Sequence, residues 1–372
     1  MIAGLGSWLI PRPPGLPIRV KLDGSEGRAL DFSPDGSILA TGHASGNIQL
    51  WDPTTGKLRT TLRHLQHMNL RAIFSPDAKT LAVLSTTIPS TVSLPSSFNL
   101  ASSTTTITVF EVGAGRELAR IDVPSPAILL HVWFTPDGSA LNLIQWDNAF
   151  NATVPFQFSS WDTETWVQRE SRSLPVKQQE VSTISKDGLT LAAGYRNAPT
   201  VTLWDVASGR QLASMTGGDP DSSVGAWGMG FSQDGATLAV GRTDGDLELW
   251  DVATRSLRAR LQGHSRHYLP QIMVFGTGRD QVYSMGMNWT LPSVPAQIFG
   301  AARSLFRPRR GLVDARELPP PEVISWNVAS RRPRVKLQGE AWPLLSPDGK
   351  TLATSSAGGA IILRDVASKS HP

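Results

Sequence analysis

Short runs in which apolar and polar residues alternate recur along this chain of 372 residues, and turn signals separate them. Ile48–Trp51 is one such run, with the period of two that is typical of a half-buried β-strand. A turn signal precedes it at Ala44–Asn47, and another follows it at Asp52–Gly56. The succession predicts short strands joined by tight turns, and the 33 Gly and 27 Pro residues also favour a turn-rich all-β chain.

The turns and strands belong to a repeating unit with two recognisable halves. The first half is a turn of the type Phe-Ser-Pro-Asp-Gly, in which proline presets φ at the second position and glycine suits the fourth. Its copies begin at Phe32, Phe74, Phe134, Ile184, Phe231, Phe275 (degenerate) and Leu345. The second half is a strand that reaches Trp-Asp or a related pair, at Trp51, Phe110, Trp161, Trp204, Trp250, Trp326 and Arg364. The halves alternate strictly, which predicts seven units of four short antiparallel strands.

Seven alternating copies of this two-part motif resemble the WD-repeat family, whose repeats form the blades of a β-propeller. The resemblance covers residues 18–368 and implies an all-β, seven-bladed propeller of four-stranded antiparallel blades. The last unit has only three strands, whereas Ile18–Leu22 precedes the first unit and matches fourth strands such as Arg258–Leu261. We therefore expect the N-terminal strand to complete the last blade and close the ring. The emphasis on Ser-Pro-Asp-Gly resembles bacterial members of the family.

Three of the units are longer than the others. The two halves are 19 or 20 residues apart in four units, but 36, 27 and 51 apart in the second, third and sixth. We place the insertions at about 86–106, 146–154 and 286–321, always between the second and third strands. The family resemblance implies that these connections share a face with the loops between blades, and that this face contacts partners. Residues 1–17 are expected to be a disordered leader and residues 369–372 a tail.

The sixth-unit insertion also carries the net charge of the chain. The formal charge is +4, and Arg303, Arg307, Arg309 and Arg310 account for it. Apolar residues within 297–306 have helical spacing, which predicts a short amphipathic helix. Three interpretations stay open for this segment: packing on the rim of the propeller, contact with an acidic partner, or contact of residues 297–312 with an anionic membrane surface.

Aromatic and arginine side chains near the loop face are the candidates for partner binding, because these residue types are the commonest interface hot spots. The candidates are Trp146, Tyr195, Trp227, Arg242, His267, Tyr268, Trp289, Arg303, Arg307, Arg309, Arg310 and Trp342.

A buried polar network often braces a blade in the WD-repeat family. It joins a His from a Gly-His pair, an Asp from the turn before the Trp strand, a Ser or Thr, and the Trp. Here Gly263–His264 is the one clear Gly-His pair, and the expected Asp is clear only at Asp244, in the previous blade. The sequence therefore predicts that no blade has a complete brace.

Motifs for catalysis are absent from the sequence. Cysteine does not occur, which excludes disulfides, thiol nucleophiles and cysteine-based metal sites. Nucleophile-elbow, P-loop, HExxH and EF-hand motifs are also missing. We expect no catalytic, cofactor-binding or metal-binding residues, no cofactor and no nucleic-acid partner.

The preferred function is a non-catalytic, monomeric and cytoplasmic scaffold that binds a protein or peptide partner. The arginines favour a partner that is acidic. The alternatives are a small-ligand or hydrolytic site on the loop face, or the sensor region of a larger signalling protein.

Overall fold

The computed structural model describes residues 16–22, 27–43, 45–63, 69–87, 104–123, 130–146, 155–174, 176, 181–217, 223–264, 268–277, 280–288, 320–356 and 358–366. Within these ranges the chain forms seven four-stranded antiparallel sheets. The sheets are the blades of a seven-bladed β-propeller, which confirms the predicted fold class.

The strands follow the order of the predicted units. The chain opens with β1 (Ile18–Leu22), and blade 1 contains β2 (Gly27–Phe32), β3 (Leu39–His43), β4 (Ile48–Trp51) and β5 (Leu58–Leu62). Blade 2 contains β6 (Asn69–Phe74), β7 (Thr80–Thr87), β8 (Thr104–Glu111) and β9 (Glu117–Val123). Blade 3 contains β10 (Leu130–Phe134), β11 (Ala140–Trp146), β12 (Phe156–Asp162) and β13 (Gln168–Leu174).

The second half of the molecule repeats this arrangement. Blade 4 contains β14 (Val181–Ile184), β15 (Thr190–Gly194), β16 (Thr200–Asp205) and β17 (Gln211–Thr216). Blade 5 contains β18 (Ala226–Phe231), β19 (Thr237–Arg242), β20 (Leu247–Asp251) and β21 (Ser256–Leu261). Blade 6 contains β22 (Tyr268–Phe275), β23 (Gln281–Asn288), β24 (Glu322–Asn327) and β25 (Arg332–Gln338). Blade 7 contains β26 (Glu340–Leu345), β27 (Thr351–Ser356) and β28 (Ile361–Asp365).

The N-terminal strand closes the ring, as predicted. In blade 7 the strand order is β26-β27-β28-β1, so β1 is the outermost strand. Its Leu22 pairs with Ile361, and the amide of Asp365 donates to the carbonyl of Pro17 at 3.1 Å. At the inner edge, β2 contacts both β6 and β26, so blade 1 touches blades 2 and 7. Residues 1–15 of the expected leader lie outside the described residues, whereas Leu16 is buried.

The hydrophobic core is divided among the interfaces between neighbouring blades. Each of seven buried clusters draws side chains from two adjacent blades. Trp51 of blade 1 packs with Leu363 of blade 7, and Trp250 of blade 5 packs with Val201 of blade 4. The repeated tryptophan therefore fills the interface with the preceding blade, which is why its slot recurs in the sequence.

The repeated turns share one hydrogen-bond pattern. In blade 1, the hydroxyl of Ser33 donates to Asp35 Oδ1 at 2.5 Å and accepts from the amide of Ile38 at 2.9 Å. Gly36 has a φ of 72°, a left-handed conformation that favours glycine. Blades 2, 4, 5 and 7 repeat the Ser–Asp hydrogen bond. These turns form one face of the ring, together with the turns between third and fourth strands.

The opposite face is formed by the connections from second to third strands and by the connections between blades. We call it the insertion face. Residues 88–103, 147–154 and 289–319, outside the described residues, connect β7 to β8, β11 to β12 and β23 to β24. The flanking strands end at Thr87, Trp146 and Asn288, and the next strands begin at Thr104, Phe156 and Glu322. The helix predicted within 297–306 also lies outside the described residues. Where the structure describes the chain, it has no helix long and apolar enough to cross a membrane.

Candidate interaction face

Arg28 and Trp342 meet on the insertion face, where blade 7 joins blade 1. Each lies near the start of an innermost strand, β2 or β26, and both strands begin on this face. The guanidinium carbon lies 5.1 Å from the centre of the indole ring, which is within the range of a cation–π interaction. Both side chains are half-buried. The sequence predicted Trp342 but not Arg28, since their contact depends on ring closure between distant segments.

Arg196 and Trp227 form a second pair of the same kind, between blades 4 and 5. The guanidinium carbon lies 4.4 Å from the centre of the indole ring, and both residues are half-buried. Arg196 lies in the turn between β15 and β16, which packs against the start of β18. A Cβ atom at Gly225 would lie 2.1 Å from the carbonyl carbon of Arg196, so only glycine permits this approach. Trp227 was predicted from the sequence, and Arg196 was missed.

The two candidate tyrosines also lie on the insertion face. Tyr195 precedes Arg196 in the same turn, and its side chain is exposed. Its carbonyl accepts a hydrogen bond from the amide of Ala226 at 2.8 Å, which ties the turn to β18. Tyr268 is half-buried, and its hydroxyl donates to the carbonyl of Pro320 at 2.9 Å. Tyr268 therefore anchors the segment that enters β24, whereas the exposed side chain of Tyr195 is open to contact.

Arg242 differs from the other candidates because it lies inside blade 5. Its side chain is 1% exposed and donates to Glu248 Oε2 from Nε at 2.8 Å and to the carbonyl of Pro199 at 2.9 Å. The indole N–H of Trp250 donates to the same Glu248 oxygen at 3.1 Å. Arg242 is thus an internal brace, and we leave it out of the proposed contact surface.

The remaining candidates lie partly or wholly outside the described residues. The backbone of Trp146 ends β11 and pairs with Phe156, and its side chain lies outside the described part of the structure. His267, Trp289, Arg303, Arg307, Arg309 and Arg310 lie outside the described residues altogether.

Blade 6 contains a complete polar brace, contrary to the sequence prediction. The indole N–H of Trp326 donates to the hydroxyl of Ser284 at 2.7 Å, and His264 Nε2 lies 2.7 Å from the same oxygen. His264 Nδ1 lies 2.8 Å from Glu322 Oε1. Burial opposes ionisation of Glu322, but hydrogen bonds from His264 and Lys336 lower its pKa overall. The carboxylate comes from the first residue of β24, not from an Asp in the preceding turn, which is why the motif missed it.

Blade 7 has a brace made of different residues. Glu340 follows Gly339 at the place that His264 occupies after Gly263, and Arg364 stands in the tryptophan slot. Thr354 Oγ1 donates to Glu340 Oε2 at 2.6 Å, and Arg364 Nε donates to the same oxygen at 3.1 Å. Arg364 also donates to the carbonyl of Leu16, so this brace holds the segment that leads into β1.

Charged residues also line the central channel on the innermost strands of blades 1 to 3. Asp31 on β2 accepts a hydrogen bond from the amide of Phe74 at 3.0 Å, yet burial raises its pKa to about 7. Arg71 on β6 is near enough to Asp31 and to Arg28 to perturb the pKa of each. Burial lowers the pKa of His131 on β10 to about 3, so His131 is neutral at pH 7. The positive charge of this part of the channel therefore comes from the arginines.

Among the described residues, no three His, Asp or Glu side chains are grouped so that they could hold a metal ion. The described part of the insertion face presents two arginine–tryptophan contacts and the exposed side chain of Tyr195. Such an arrangement is suited to binding.

Comparison with known proteins adds two matches. The model of the WD domain, G-beta repeat, matches residues 18–52 and 209–251. The chain is also similar to "Cell division cycle 20.4, cofactor of APC complex" from Arabidopsis thaliana, with 32% identity over 124 residues. That match covers 32% of this chain and 27% of the relative. Seven four-stranded blades, a ring closed by the N-terminal strand and the repeat matches together support a β-propeller of the WD-repeat type.

Proposed function

We propose that the protein is a non-catalytic interaction scaffold whose insertion face binds a protein or peptide partner. The observation that carries this proposal is the pair of arginine–tryptophan stacks, Arg28 with Trp342 and Arg196 with Trp227. They lie on different sides of the ring but on the same face. A partner that spans the face would meet both.

The stacks suit binding for an energetic reason. Trp and Arg are the residue types most enriched among interface hot spots. A guanidinium that already rests on an indole ring has fewer conformations to lose when a partner docks, which lowers the entropy cost of association. All four side chains are half-buried, so each is held by the propeller while it keeps a surface for contact.

Two further facts support a protein partner. The three insertions leave from this face, and the last of them carries Arg303, Arg307, Arg309 and Arg310, which favour an acidic partner. The similar Arabidopsis protein is described as the cofactor of a complex, which is an interaction role. We propose that the present chain acts in the same general way, as a monomer.

Co-purification with matched variants tests the proposal. Trp227→Ala and Arg196→Ser alter the insertion face, whereas Leu212→Ala removes an exposed side chain from the outermost strand β17. We expect the two insertion-face variants to lose a partner that the wild type and Leu212→Ala retain, with unchanged melting temperatures. Equal recovery of partners by all three variants would contradict the proposal.

A further inference from the structure

Exposed apolar side chains are concentrated on the face of the ring that carries the Ser-Pro-Asp-Gly turns and the turns between third and fourth strands. We call it the turn face. Within the described part of the chain, seven of the eight exposed large hydrophobic residues lie in these turns or where the outermost strands begin; the eighth, Tyr195, is on the insertion face. The seven are Ile18, Leu58, Leu118, Val167, Leu189, Leu212 and Leu257.

The opposite ends of the outermost strands bury their apolar residues. Near the insertion face these strands carry side chains that are at most 1% exposed, namely Leu22, Leu62, Leu174 and Leu261. Single exposed hydrophobic residues are ordinary on protein surfaces. Here, however, every blade except blade 6 contributes one on the same face, so the exposure is a property of the turn face as a whole.

Blade 6 contributes positive charge to the turn face. Arg331 ends the turn that leads into β25, and Arg332 and Arg334 lie on that strand. All three side chains are exposed. Among the described residues, no ion pair or hydrogen bond holds their guanidinium groups. Three arginines within four residues therefore face solvent with their charge uncompensated by a bound acid.

The arginines are unpaired because blade 6 lacks a carboxylate that other blades have. In blade 1, Arg59 pairs at 3.2 Å with Asp52, the residue that follows the tryptophan. Blade 3 repeats this ion pair at the same two positions. In blade 6 the corresponding residues are Arg334 and Asn327. The substitution of Asn for Asp leaves the arginine available to an outside anion.

The next blade does not supply the missing carboxylate. Arg258 of blade 5 occupies the same position as Arg334 and pairs with Asp280 of blade 6 at 2.9 Å. In blade 7 the place of Asp280 is taken by Lys350, since both backbone carbonyls accept the amide of the valine that follows the third strand. Lys350 lies 3.9 Å from Asp348 in its own turn, at the limit of an ion pair. The edge between blades 6 and 7 is therefore basic.

Arg255 and Arg331 occupy a backbone position that favours glycine. Each is the fifth residue after the tryptophan of its blade, with φ of 60° and 55°. At the same position Gly56 of blade 1 has a φ of 69°, blades 2 and 4 also have glycine, and blade 3 has Trp166. A side chain in the left-handed region is strained, and such strain is concentrated at functional sites. Two adjacent blades thus keep a strained arginine in the turns of this face.

We propose that the turn face lies on an anionic lipid bilayer. Arg331, Arg332 and Arg334 contact the headgroups, and the exposed apolar side chains reach the boundary between headgroups and acyl chains. A bilayer is flat across the width of the ring, so it meets side chains from all seven blades at once. Each arginine near an anionic surface strengthens binding by about fivefold, and weak contacts around the ring add to one another.

The residue types favour lipid over nucleic acid. Proteins that bind single-stranded nucleic acid stack the bases on aromatic side chains within a basic groove. The seven exposed hydrophobic residues of the turn face are all aliphatic. Aliphatic residues beside arginine are typical of surfaces that enter the headgroup region of a membrane.

Co-sedimentation of the purified chain with vesicles tests this proposal. The wild type should bind phosphatidylcholine vesicles that contain phosphatidylserine but not vesicles of phosphatidylcholine alone. The bound fraction should fall as salt rises, because exposed charges are screened. The triple variant Arg331→Gln/Arg332→Gln/Arg334→Gln should bind at least about tenfold more weakly. Its melting temperature should stay the same, because exposed substitutions change stability little.

Arg303→Gln/Arg307→Gln/Arg309→Gln is the matched control, because it removes the same charge from the insertion between β23 and β24, which leaves the opposite face. It should bind within about twofold of the wild type, since charges beyond a Debye length of the bilayer are screened. A loss of vesicle binding in this control as large as that of the first triple variant, or larger, would overturn the proposal.

The apolar contribution has a test of its own. Leu58→Ser/Leu189→Ser/Leu257→Ser should weaken binding to phosphatidylserine vesicles by at least about fivefold, whereas Tyr195→Ser on the insertion face should not. Undiminished binding by the serine variant would contradict contact through the turn face. Binding of a labelled oligonucleotide by a chain that does not bind vesicles would overturn the choice of lipid.

This inference goes beyond the proposed function, because it uses the face opposite to the partner surface. A chain that lies on a bilayer through its turn face keeps the insertion face open to a partner. Vesicle binding requires no partner, and co-purification requires no vesicles. The failure of one experiment therefore leaves the other proposal to its own test.

Discussion

Asp31 is a half-buried acid whose environment makes stability depend on pH. Burial is the largest influence and raises its pKa from 3.8 to about 7, although hydrogen bonds from the amides of Phe74 and Phe32 and the charges of Lys186 and Arg71 act in the opposite direction. Between these pH values the folded protein binds the proton and the unfolded chain does not. The free energy of unfolding therefore falls as the pH rises from about 4 to about 7.

Replacement of Asp31 by Asn should remove this contribution. The amide oxygen of Asn keeps an acceptor for Phe74, and the side chain carries no charge at any pH. We expect the stability advantage of Asp31→Asn over the wild type to be larger at pH 8 than at pH 5, measured by urea unfolding at both pH values.

Asp35 is a control, because its carboxylate changes the free energy of unfolding with pH in the opposite direction to Asp31. Hydrogen bonds from Ser33 and Ser37 lower the pKa of Asp35, so its stabilising effect is complete above about pH 4 and is lost as the pH falls below that value. Asp35→Asn should therefore destabilise the protein equally at pH 5 and pH 8. An Asp31→Asn variant that behaves in the same way would contradict the assignment.

At the scale of a blade, the indole N–H of the repeated tryptophan needs a hydrogen-bond acceptor, and blades 1 and 6 supply one from the neighbouring strand. In blade 1 the indole N–H of Trp51 donates to Thr41 Oγ1 at 2.9 Å, and in blade 6 Trp326 donates to Ser284. In both blades the acceptor lies on the second strand, two residues after the residue that pairs with the tryptophan across the sheet. In blade 4 that position is Ala193, and among the described residues Trp204 Nε1 is buried without a partner.

A hydroxyl at position 193 should supply the missing acceptor. Ala193→Ser is expected to stabilise the protein by about 1 kcal/mol, the typical net value of one hydrogen bond. Ala192→Ser is the matched control, because Ala192 is also buried but lies in the apolar interface between blades 4 and 5, where an added hydroxyl should destabilise. Equal destabilisation of both variants in denaturant unfolding would show that the hydroxyl introduced at position 193 does not reach Trp204.

The blades also show what could be predicted from the sequence. Strand spacing, the Ser-Pro-Asp-Gly turns and the tryptophan slots are local patterns, and they predicted the seven blades. The brace of blade 6 was missed because Glu322 reaches His264 only after a long insertion. The brace of blade 7 was missed because Glu340 and Arg364 replace the expected residue types.

The interaction face was predictable only in part for a related reason. Composition pointed to Trp227 and Trp342, since aromatic residues near loops are common contacts. It did not reveal Arg28 as the partner of Trp342, because their contact exists only when blade 7 meets blade 1. Arg242 fitted the same pattern and proved to be internal, since burial cannot be read from residue type.

At the scale of the whole molecule, the ring depends on the N-terminal strand. Deletion of residues 1–24 removes β1 and leaves β28 with an unpaired edge, so we expect a lower melting temperature, loss of cooperative unfolding or aggregation. Deletion of residues 1–15 keeps Leu16 and the contact with Arg364, and should change the melting temperature little. Calorimetry of both truncated chains checks this, and an unchanged transition after the longer deletion would contradict closure by β1.

Site-specific photo-cross-linking tests the central claim most directly. A photoreactive amino acid replaces either Tyr195 on the insertion face or Leu58 at the start of β5, near the opposite face; both native side chains are exposed. The protein is then irradiated with the partner obtained by co-purification. We expect a covalent adduct from position 195 and none from position 58. Adducts from position 58 alone would contradict the assignment of the insertion face as the binding surface.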